Sequence, residues 1–64
     1  MYVIVRDDGK FVTPPGSAHS YTGKLQEAQV YTTKGEAERN ACVDNERVIP
    51  LIEATTATMR GGRA

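Results

Sequence analysis

The sequence has one cysteine, one histidine and no tryptophan among its 64 residues, and these shortages exclude several kinds of site. An intrachain disulfide needs two cysteines, and a structural zinc site needs four ligands, which Cys42 and His19 alone cannot supply. We therefore expect no metal and no cofactor. A chain of this length buries only about 60% of the surface that its unfolded form exposes. Its stability must then come from close packing or self-association.

Long apolar runs are also missing, and no segment approaches the length of a membrane span. The apolar start of the chain ends at Arg6 and is too short for a signal peptide. We therefore expect a cytoplasmic protein without membrane contact, in the host cell cytoplasm if a phage encodes it. The net charge is zero, and residues 1–53 hold six cationic and eight acidic side chains. Because tight binding of nucleic acid needs clustered cations, a nucleic-acid partner is not expected.

Two apolar runs flank an Asp-Gly pair near the start of the chain. Residues 2–5 are continuously apolar and rich in β-branched side chains, which predicts a central strand with both faces covered. Gly9 accepts the positive φ that a hairpin turn demands, so residues 11–13 are expected to return as a second strand. Pro14 ends that strand, because proline lacks the amide hydrogen that a sheet ladder uses.

The pattern beyond residue 23 predicts a helical turn at 24–28, a third strand at 29–32, a helix at 34–44 and a last strand at 47–52. Residues 17–23 are predicted to form a loop, in which a brief extended piece at 20–22 is left open. Thr33 and Glu36 have the spacing of a capping box, in which the hydroxyl accepts from the amide three residues on. Pro50 favours an edge position for the last strand.

These elements predict one α+β domain over residues 1–53 and a disordered tail over residues 54–64. The expected fold is a small antiparallel sheet of three to four strands with one helix packed on a face, in the order β-β-β-α-β. The expected core comprises Tyr2, Ile4, Phe11, Leu25, Ala28, Val30, Ala37, Ala41, Val48 and Leu51.

Residues 14–21 are the most distinctive stretch, and we call them the 14–21 loop. Two prolines stiffen it, and its histidine and tyrosine are amphipathic side chains suited to contacts. A protein-binding loop is one interpretation, and an ordinary long connection is the other. The predicted partner-binding residues are Pro14, Pro15, His19, Tyr21, Arg6 and Lys10.

A catalytic site is not predicted. His19 has no Asp, Glu or Cys at a motif distance that would orient it as a general base. Cys42 lies in the predicted helix beside small apolar residues, where a buried, inert thiol is expected. We therefore predict that the protein is not an enzyme.

The pattern over residues 1–52 is carried by Tyr2-Val3-Ile4, Phe11-Val12-Thr13, Leu25, Ala28, Val30-Tyr31-Thr32-Thr33, Glu36-Ala37-Glu38 and Val48-Ile49-Pro50-Leu51. It resembles that of small uncharacterised accessory proteins of phages and prophages. Many of these have an aromatic residue, often tryptophan, before the Leu-x-x-Ala turn, and here Tyr21 is near that place. The resemblance implies a non-enzymatic protein that binds a protein partner. Some tiny phage proteins inhibit host defence, anti-CRISPR proteins among them, so by analogy of class the partner is expected to be a host defence complex such as CRISPR-Cas.

Three other expectations stay open. An exposed sheet edge could bind a partner strand, or a second copy of the chain to make a homodimer. A weak nucleic-acid binder would use Arg6, Lys10, Lys24 and Arg47 together with the tail cations Arg60 and Arg63. A homo-oligomer could bind a small ligand or nucleotide in a pocket between subunits.

Overall fold

The computed structural model describes the backbone of residues 1–61 and the side chains of residues 1–57. Its four strands form one antiparallel sheet in the order β3-β2-β1-β4. The elements are β1 (Tyr2–Arg6), β2 (Phe11–Val12), β3 (Tyr21–Thr22), a 3₁₀ helix (Leu25–Glu27), α1 (Lys34–Asn40), β4 (Glu46–Pro50) and α2 (Leu51–Gly61). The predicted α+β class with a small antiparallel sheet is confirmed.

β1 is a central strand that is buried on both faces. Val3 and Ile4 are 0% exposed and Val5 is 6% exposed. Successive side chains of a strand point to opposite faces, so Val3 and Val5 share one face and Ile4 lies on the other. This double burial explains why the run at residues 2–5 is continuously apolar rather than alternating.

Different helices cover the two faces of the sheet. One face holds an apolar cluster formed by Val3, Val5, Phe11, Ala28 and Ala54. The last of these belongs to α2, which contacts β1, β4 and the 3₁₀ helix. On the other face Ile4 is fully buried, as is Ala37 of α1. The prediction of one helix on one face was therefore incomplete, because α2 covers the second face.

The hairpin between β1 and β2 is confirmed. Gly9 has a φ of +89°, and its amide donates to the carbonyl of Arg6 at 2.8 Å. The Arg6 amide in turn donates to the carbonyl of Lys10 at 2.7 Å. Val5 is consequently paired with Phe11 across the two strands.

The prediction of a disordered tail is wrong for residues 54–61, which belong to α2. Ala54 is 1% exposed in the core. At the start of the helix, the Leu51 amide donates to the carbonyl of Met1 at 2.7 Å. The prediction failed because residues 54–57 bury the small side chain of Ala54 and no large one, so the apolar stripe by which a helix is recognised is missing there. Residues 62–64 of the predicted tail lie outside the described part of the chain.

The predicted third strand at 29–32 is wrong. The third strand is β3, in the stretch where only a brief extended piece was considered. Tyr31 forms an isolated bridge with Tyr2, and the Gln29 amide donates to the carbonyl of Val12 at 2.9 Å. This segment therefore meets the sheet at single residues of β1 and β2 rather than along a ladder.

α1 ends earlier than the predicted range of 34–44. The hydroxyl of Thr33 accepts from the Glu36 amide at 3.2 Å, which confirms the predicted cap. The helix stops at Ala41, which is extended, and the Cys42 amide donates to the carboxylate of Glu46 at 2.8 Å instead of continuing the helix. Cys42 is exposed as a result, so the prediction of a buried thiol is wrong.

The core differs from the predicted one in a few positions. Four predicted residues are buried: Ile4, Phe11, Ala28 and Ala37. Five more are half-buried: Tyr2, Leu25, Ala41, Val48 and Leu51. Val30 is 38% exposed and does not belong to the core. The residues missing from the expected set are Val3, Val5 and Ala54.

Candidate protein-binding site

The 14–21 loop joins β2 to β3 and turns its side chains outward. Every residue from 14 to 20 is exposed, including Pro14, Pro15 and His19. Apolar burial therefore contributes almost nothing to the conformation of this segment. Its order must come from hydrogen bonds and from the restricted backbone of the two prolines.

A tight turn fixes the first half of the loop. The carbonyl of Pro14 accepts twice from Ser17, from its amide at 3.2 Å and from its hydroxyl at 2.6 Å. Gly16 has a φ of +87°, a left-handed conformation that glycine adopts without steric cost. The loop is thus closed on itself at its first turn.

Two further hydrogen bonds close the base of the loop. The Thr13 amide donates to the carbonyl of Ser20 at 3.1 Å, and the Thr13 hydroxyl donates to the carbonyl of His19. Thr13 follows β2, so both bonds anchor the outgoing end of the loop to the sheet. The loop is therefore exposed in its side chains but fixed in its backbone.

A polar cluster supports the loop where it enters β3. The guanidinium carbon of Arg6 lies 3.8 Å from the centre of the Tyr21 ring, which is cation–π geometry. The Tyr21 hydroxyl donates to the Glu46 carboxylate on β4. Arg6 also forms an ion pair with Asp8 in the hairpin turn, where its Nε donates to Oδ1 at 3.1 Å. These contacts connect β3, β1 and β4 across one face of the sheet.

The cluster shifts the pKa of two of its members. The hydrogen bond from Arg6, followed by that from the Lys10 amide, lowers the pKa of Asp8 from 3.8 to about 2. The hydrogen bond to Glu46 raises the pKa of Tyr21 above its ordinary value. Both shifts favour the charge states that hold the cluster together, so its chemistry is that of a structural support.

Five of the six predicted contact residues fall into two groups. Pro14, Pro15 and His19 lie together on the exposed loop, as a binding surface requires. Arg6 and Tyr21 lie in the supporting cluster, where the guanidinium is occupied by Asp8 and by the ring.

Lys10 lies outside both groups. Its side chain is exposed, and its amide donates to Asp8 in the hairpin turn at 3.1 Å. Three residues around the loop were not predicted from the sequence: Thr13, Glu27 and Glu46. No local pattern could reveal the contact of Glu46 with Tyr21, because 25 positions separate the two residues.

Two clefts adjoin the loop. The larger, of about 420 Å³, is bounded by loop residues and by Glu27 of the 3₁₀ helix. The smaller, of about 290 Å³, is bounded by loop residues together with Tyr31 and Asn40. His19 lines both clefts, so the outer half of the loop forms a ridge between two concave surfaces.

The free edge of β4 is the other surface considered for binding, and its edge position is confirmed. Backbone groups alternate in direction along a strand. The Asp7 amide donates to the Asn45 carbonyl at 2.9 Å. Because bonding toward the same neighbour repeats every second residue, Arg47 and Ile49 also direct their backbone groups toward β1. Glu46, Val48 and Pro50 therefore direct their backbone groups outward.

This outward set is poorly equipped for strand addition. The Glu46 amide already donates to the Cys42 carbonyl at 2.8 Å. Pro50 has no amide hydrogen, which is why proline is tolerated at this outward position. Val48 is left as the residue of β4 that offers both an N–H and a C=O to another strand. An edge with so few available groups is typical of protection against strand pairing.

Comparison of this chain with family models, curated proteins and solved structures found no match. Within residues 1–57, no three His, Cys, Asp or Glu side chains lie close enough together to hold a metal ion. None of the helices in the described part of the chain combines the length and the apolar composition needed to cross a membrane. The proposed function therefore rests on the geometry of the 14–21 loop.

Proposed function

We propose that this protein is a non-enzymatic binding domain whose 14–21 loop contacts a protein partner. The observation that carries the proposal is that residues 14–20 of the loop are exposed and yet pinned by hydrogen bonds at both the turn and the base of the loop. A surface that is ordered before binding loses less conformational entropy when a partner docks. Two prolines reduce that loss further.

The clefts beside the loop support the same proposal. A ridge between two concave surfaces gives a partner complementary features to enclose, and histidine and proline supply contact area with few rotatable bonds. The edge of β4 offers fewer available backbone groups, so the loop is the favoured surface. Arg6 already contacts Asp8 and the Tyr21 ring. One of the cations that the alternative of nucleic-acid binding would use is therefore engaged within the protein.

The resemblance to phage accessory proteins supplies the proposed biological role. We propose that the partner belongs to a host defence complex, such as a CRISPR-Cas effector, and that binding inhibits it. A domain of this size acts most simply by covering a surface that the complex needs. This role rests on the pattern of residues 1–52 and on the loop as a docking surface.

Affinity capture with matched loop and helix variants tests the binding surface. Ala18 on the loop and Ala57 on α2 are both exposed, so the same change to arginine introduces the same charge and bulk at two separate surfaces. The tagged proteins are incubated with nuclease-treated bacterial lysate at moderate and at high salt. We expect wild type and Ala57→Arg to retain a stoichiometric protein partner at both salt concentrations, and Ala18→Arg to lose it.

Each contrary result points to a different account. A partner retained by Ala18→Arg and lost by Ala57→Arg would move the site to α2. Capture of nucleic acid alone, lost at high salt, would replace the proposal with nucleic-acid binding. Thermal denaturation of both variants shows whether any loss arises from unfolding rather than from the binding surface.

A plating assay tests the inhibitory role. Cells with an active CRISPR-Cas system that targets a phage would express wild type, Ala18→Arg or Ala57→Arg. We expect the phage to form more plaques on cells that express wild type or Ala57→Arg than on cells that express Ala18→Arg. Equal plating on all three, with the proteins present at equal levels, would contradict inhibition of that defence complex.

A further inference from the structure

The larger cleft beside the loop has an unusual hydrogen-bonding character. Four of its lining residues carry a hydroxyl: Thr13, Ser17, Tyr21 and Thr22. A hydroxyl has a single proton to donate and two lone pairs with which to accept. A ligand can meet these hydroxyls as donors only where their protons are not already used in hydrogen bonds within the protein.

All four hydroxyl protons are engaged within the protein. Thr13 donates to the His19 carbonyl and Ser17 donates to the Pro14 carbonyl at 2.6 Å. A carbonyl oxygen has no proton to give, so the hydroxyl must be the donor in both bonds.

The other two protons go to carboxylates. Tyr21 donates to Glu46, and Thr22 donates to Oε1 of Glu27 at 2.8 Å. The Thr22 oxygen also accepts from the Lys24 amide at 3.1 Å. These hydroxyls can therefore act toward a ligand only as hydrogen-bond acceptors, through their remaining lone pairs.

Glu27 adds a negative charge to this set of acceptors. Its carboxylate is exposed and lines the cleft, and one oxygen accepts from Thr22. Within residues 1–57 the ion pairs join Arg6 to Asp8 and Lys34 to Glu38, and neither uses Glu27. The cleft therefore presents one carboxylate and several neutral acceptors, and its complement is a cation rich in N–H donors.

We propose that this cleft binds an arginine side chain of the partner. A guanidinium has five N–H donors in a plane and spreads them over several acceptors, whereas the ammonium of lysine is a compact point charge. The volume of about 420 Å³ lies within the range of small-ligand sites. This inference deepens the proposed function, on which it rests, by naming the chemistry of the contact.

NMR titration with short peptides tests the inference without the partner. The probes are blocked Gly-Arg-Gly, Gly-Lys-Gly and Gly-norleucine-Gly, added to the ¹⁵N-labelled full chain. We expect the arginine peptide to shift the amides of Ser17, Ala18, His19 and Thr22 with a Kd on the order of 1–10 mM, as suits a single side chain. The lysine peptide should bind more weakly, and the norleucine peptide should leave these amides unmoved.

Paired substitutions identify the carboxylate that is responsible. Glu27→Gln keeps an oxygen that accepts from Thr22 but removes the charge, so it should weaken the arginine peptide about fivefold, as loss of an exposed ion pair does. Glu38→Gln removes an exposed charge from α1 and should leave the titration unchanged. The amide spectrum of each variant reports whether it remains folded.

Several results would overturn the inference. Equal shifts with the norleucine peptide would show apolar rather than cationic recognition, and equal binding by the lysine peptide would remove the preference for arginine. An unchanged Kd in Glu27→Gln would exclude this carboxylate. None of these results bears on whether Ala18→Arg loses the captured partner, so failure of the cleft and failure of the loop as a binding surface are separable.

Discussion

β1 and the 14–21 loop are held in place by opposite means. β1 has three consecutive buried residues and is enclosed by helices on both faces of the sheet. The loop has seven consecutive exposed residues and is held by hydrogen bonds to its own backbone and to Thr13. A small domain can thus hold a surface segment in a fixed conformation by hydrogen bonds, without burying any of that segment's side chains in the core.

This division has a functional consequence. Side chains in β1 are committed to packing, and changing them changes stability. Side chains such as Ala18 and His19 are exposed on the loop, and changing them should alter binding far more than stability. The predictions below test that division, from the largest expected effect to the smallest.

The first prediction compares two isoleucines under the same substitution. Ile4 is 0% exposed and Ile52 is 77% exposed. Ile4→Ala should cost about 2–5 kcal/mol, because it leaves a cavity between the sheet and α1. That loss is comparable with the whole stability of about 3–5 kcal/mol that a core of this size supplies. Urea denaturation followed by circular dichroism measures both proteins.

Ile52→Ala is the control and should change the free energy of unfolding by less than about 0.5 kcal/mol. Because Ile4→Ala could prevent folding altogether, Ile4→Val provides a milder test, with an expected loss of about 0.5–1.5 kcal/mol. Equal effects at the two positions would contradict the burial of β1 on the face that α1 covers.

The second prediction tests whether α2 belongs to the core. Ala54→Asp should lower the free energy of unfolding by about 3 kcal/mol, since it buries a carboxylate without a partner. Ala57→Asp lies on the exposed side of the same helix and should cost only about 0.7 kcal/mol through helix propensity. Thermal denaturation of the two variants is the measurement. A small, equal loss in both would mean that α2 does not pack on the sheet.

The third prediction loosens the loop without touching the core. Thr13→Val removes the hydroxyl that holds the His19 carbonyl and should cost about 0.5 kcal/mol, as an exposed hydrogen bond does. Amide hydrogen exchange should accelerate from Ser17 to Ser20 and stay unchanged in β1. Thr32→Val is the control, because Thr32 is exposed and its hydroxyl makes no hydrogen bond within residues 1–57. Unaltered exchange in the loop would show that this bond does not order it.

The fourth prediction concerns pH and has the smallest effect. The folded pKa of Asp8 is lowered from 3.8 to about 2, so its ion pair with Arg6 stabilises the protein above pH 3.8 and is lost as the pH falls toward 2. Asp8→Asn should lower the Tm slightly at about pH 5, and this difference should shrink as the pH falls through 2. Asp7→Asn is the control, since the Asp7 side chain has no bonded partner in the described residues. A Tm difference that persists at low pH would assign the effect to something other than this pair.

Local patterns predicted the parts of the fold that local physics determines. Gly9 in the hairpin, Thr33 as a helix cap and Pro50 at an edge each act through their own backbone geometry, and all three predictions are confirmed. The apolar run of β1 likewise indicated burial on both faces.

The remaining parts depend on partners that are distant in sequence. Ala54 packs into the core only because the sheet offers its second face, and a small side chain gives no periodic signal. Cys42 becomes exposed because Glu46 takes its amide and the helix ends. Proline and histidine indicated the loop as a surface, but the engaged hydroxyls of the cleft are visible only in three dimensions.

NMR relaxation of the free protein tests most directly whether the 14–21 loop is fixed before binding. The measurement is the ¹⁵N order parameter of the amides from Gly16 to Ser20, compared with those of β1. A pinned loop should have order parameters near that of a rigid backbone, about 0.85, and close to those of β1. Values below about 0.6 in the loop, with β1 remaining rigid, would contradict the account, since the loop would then acquire its order only from a partner.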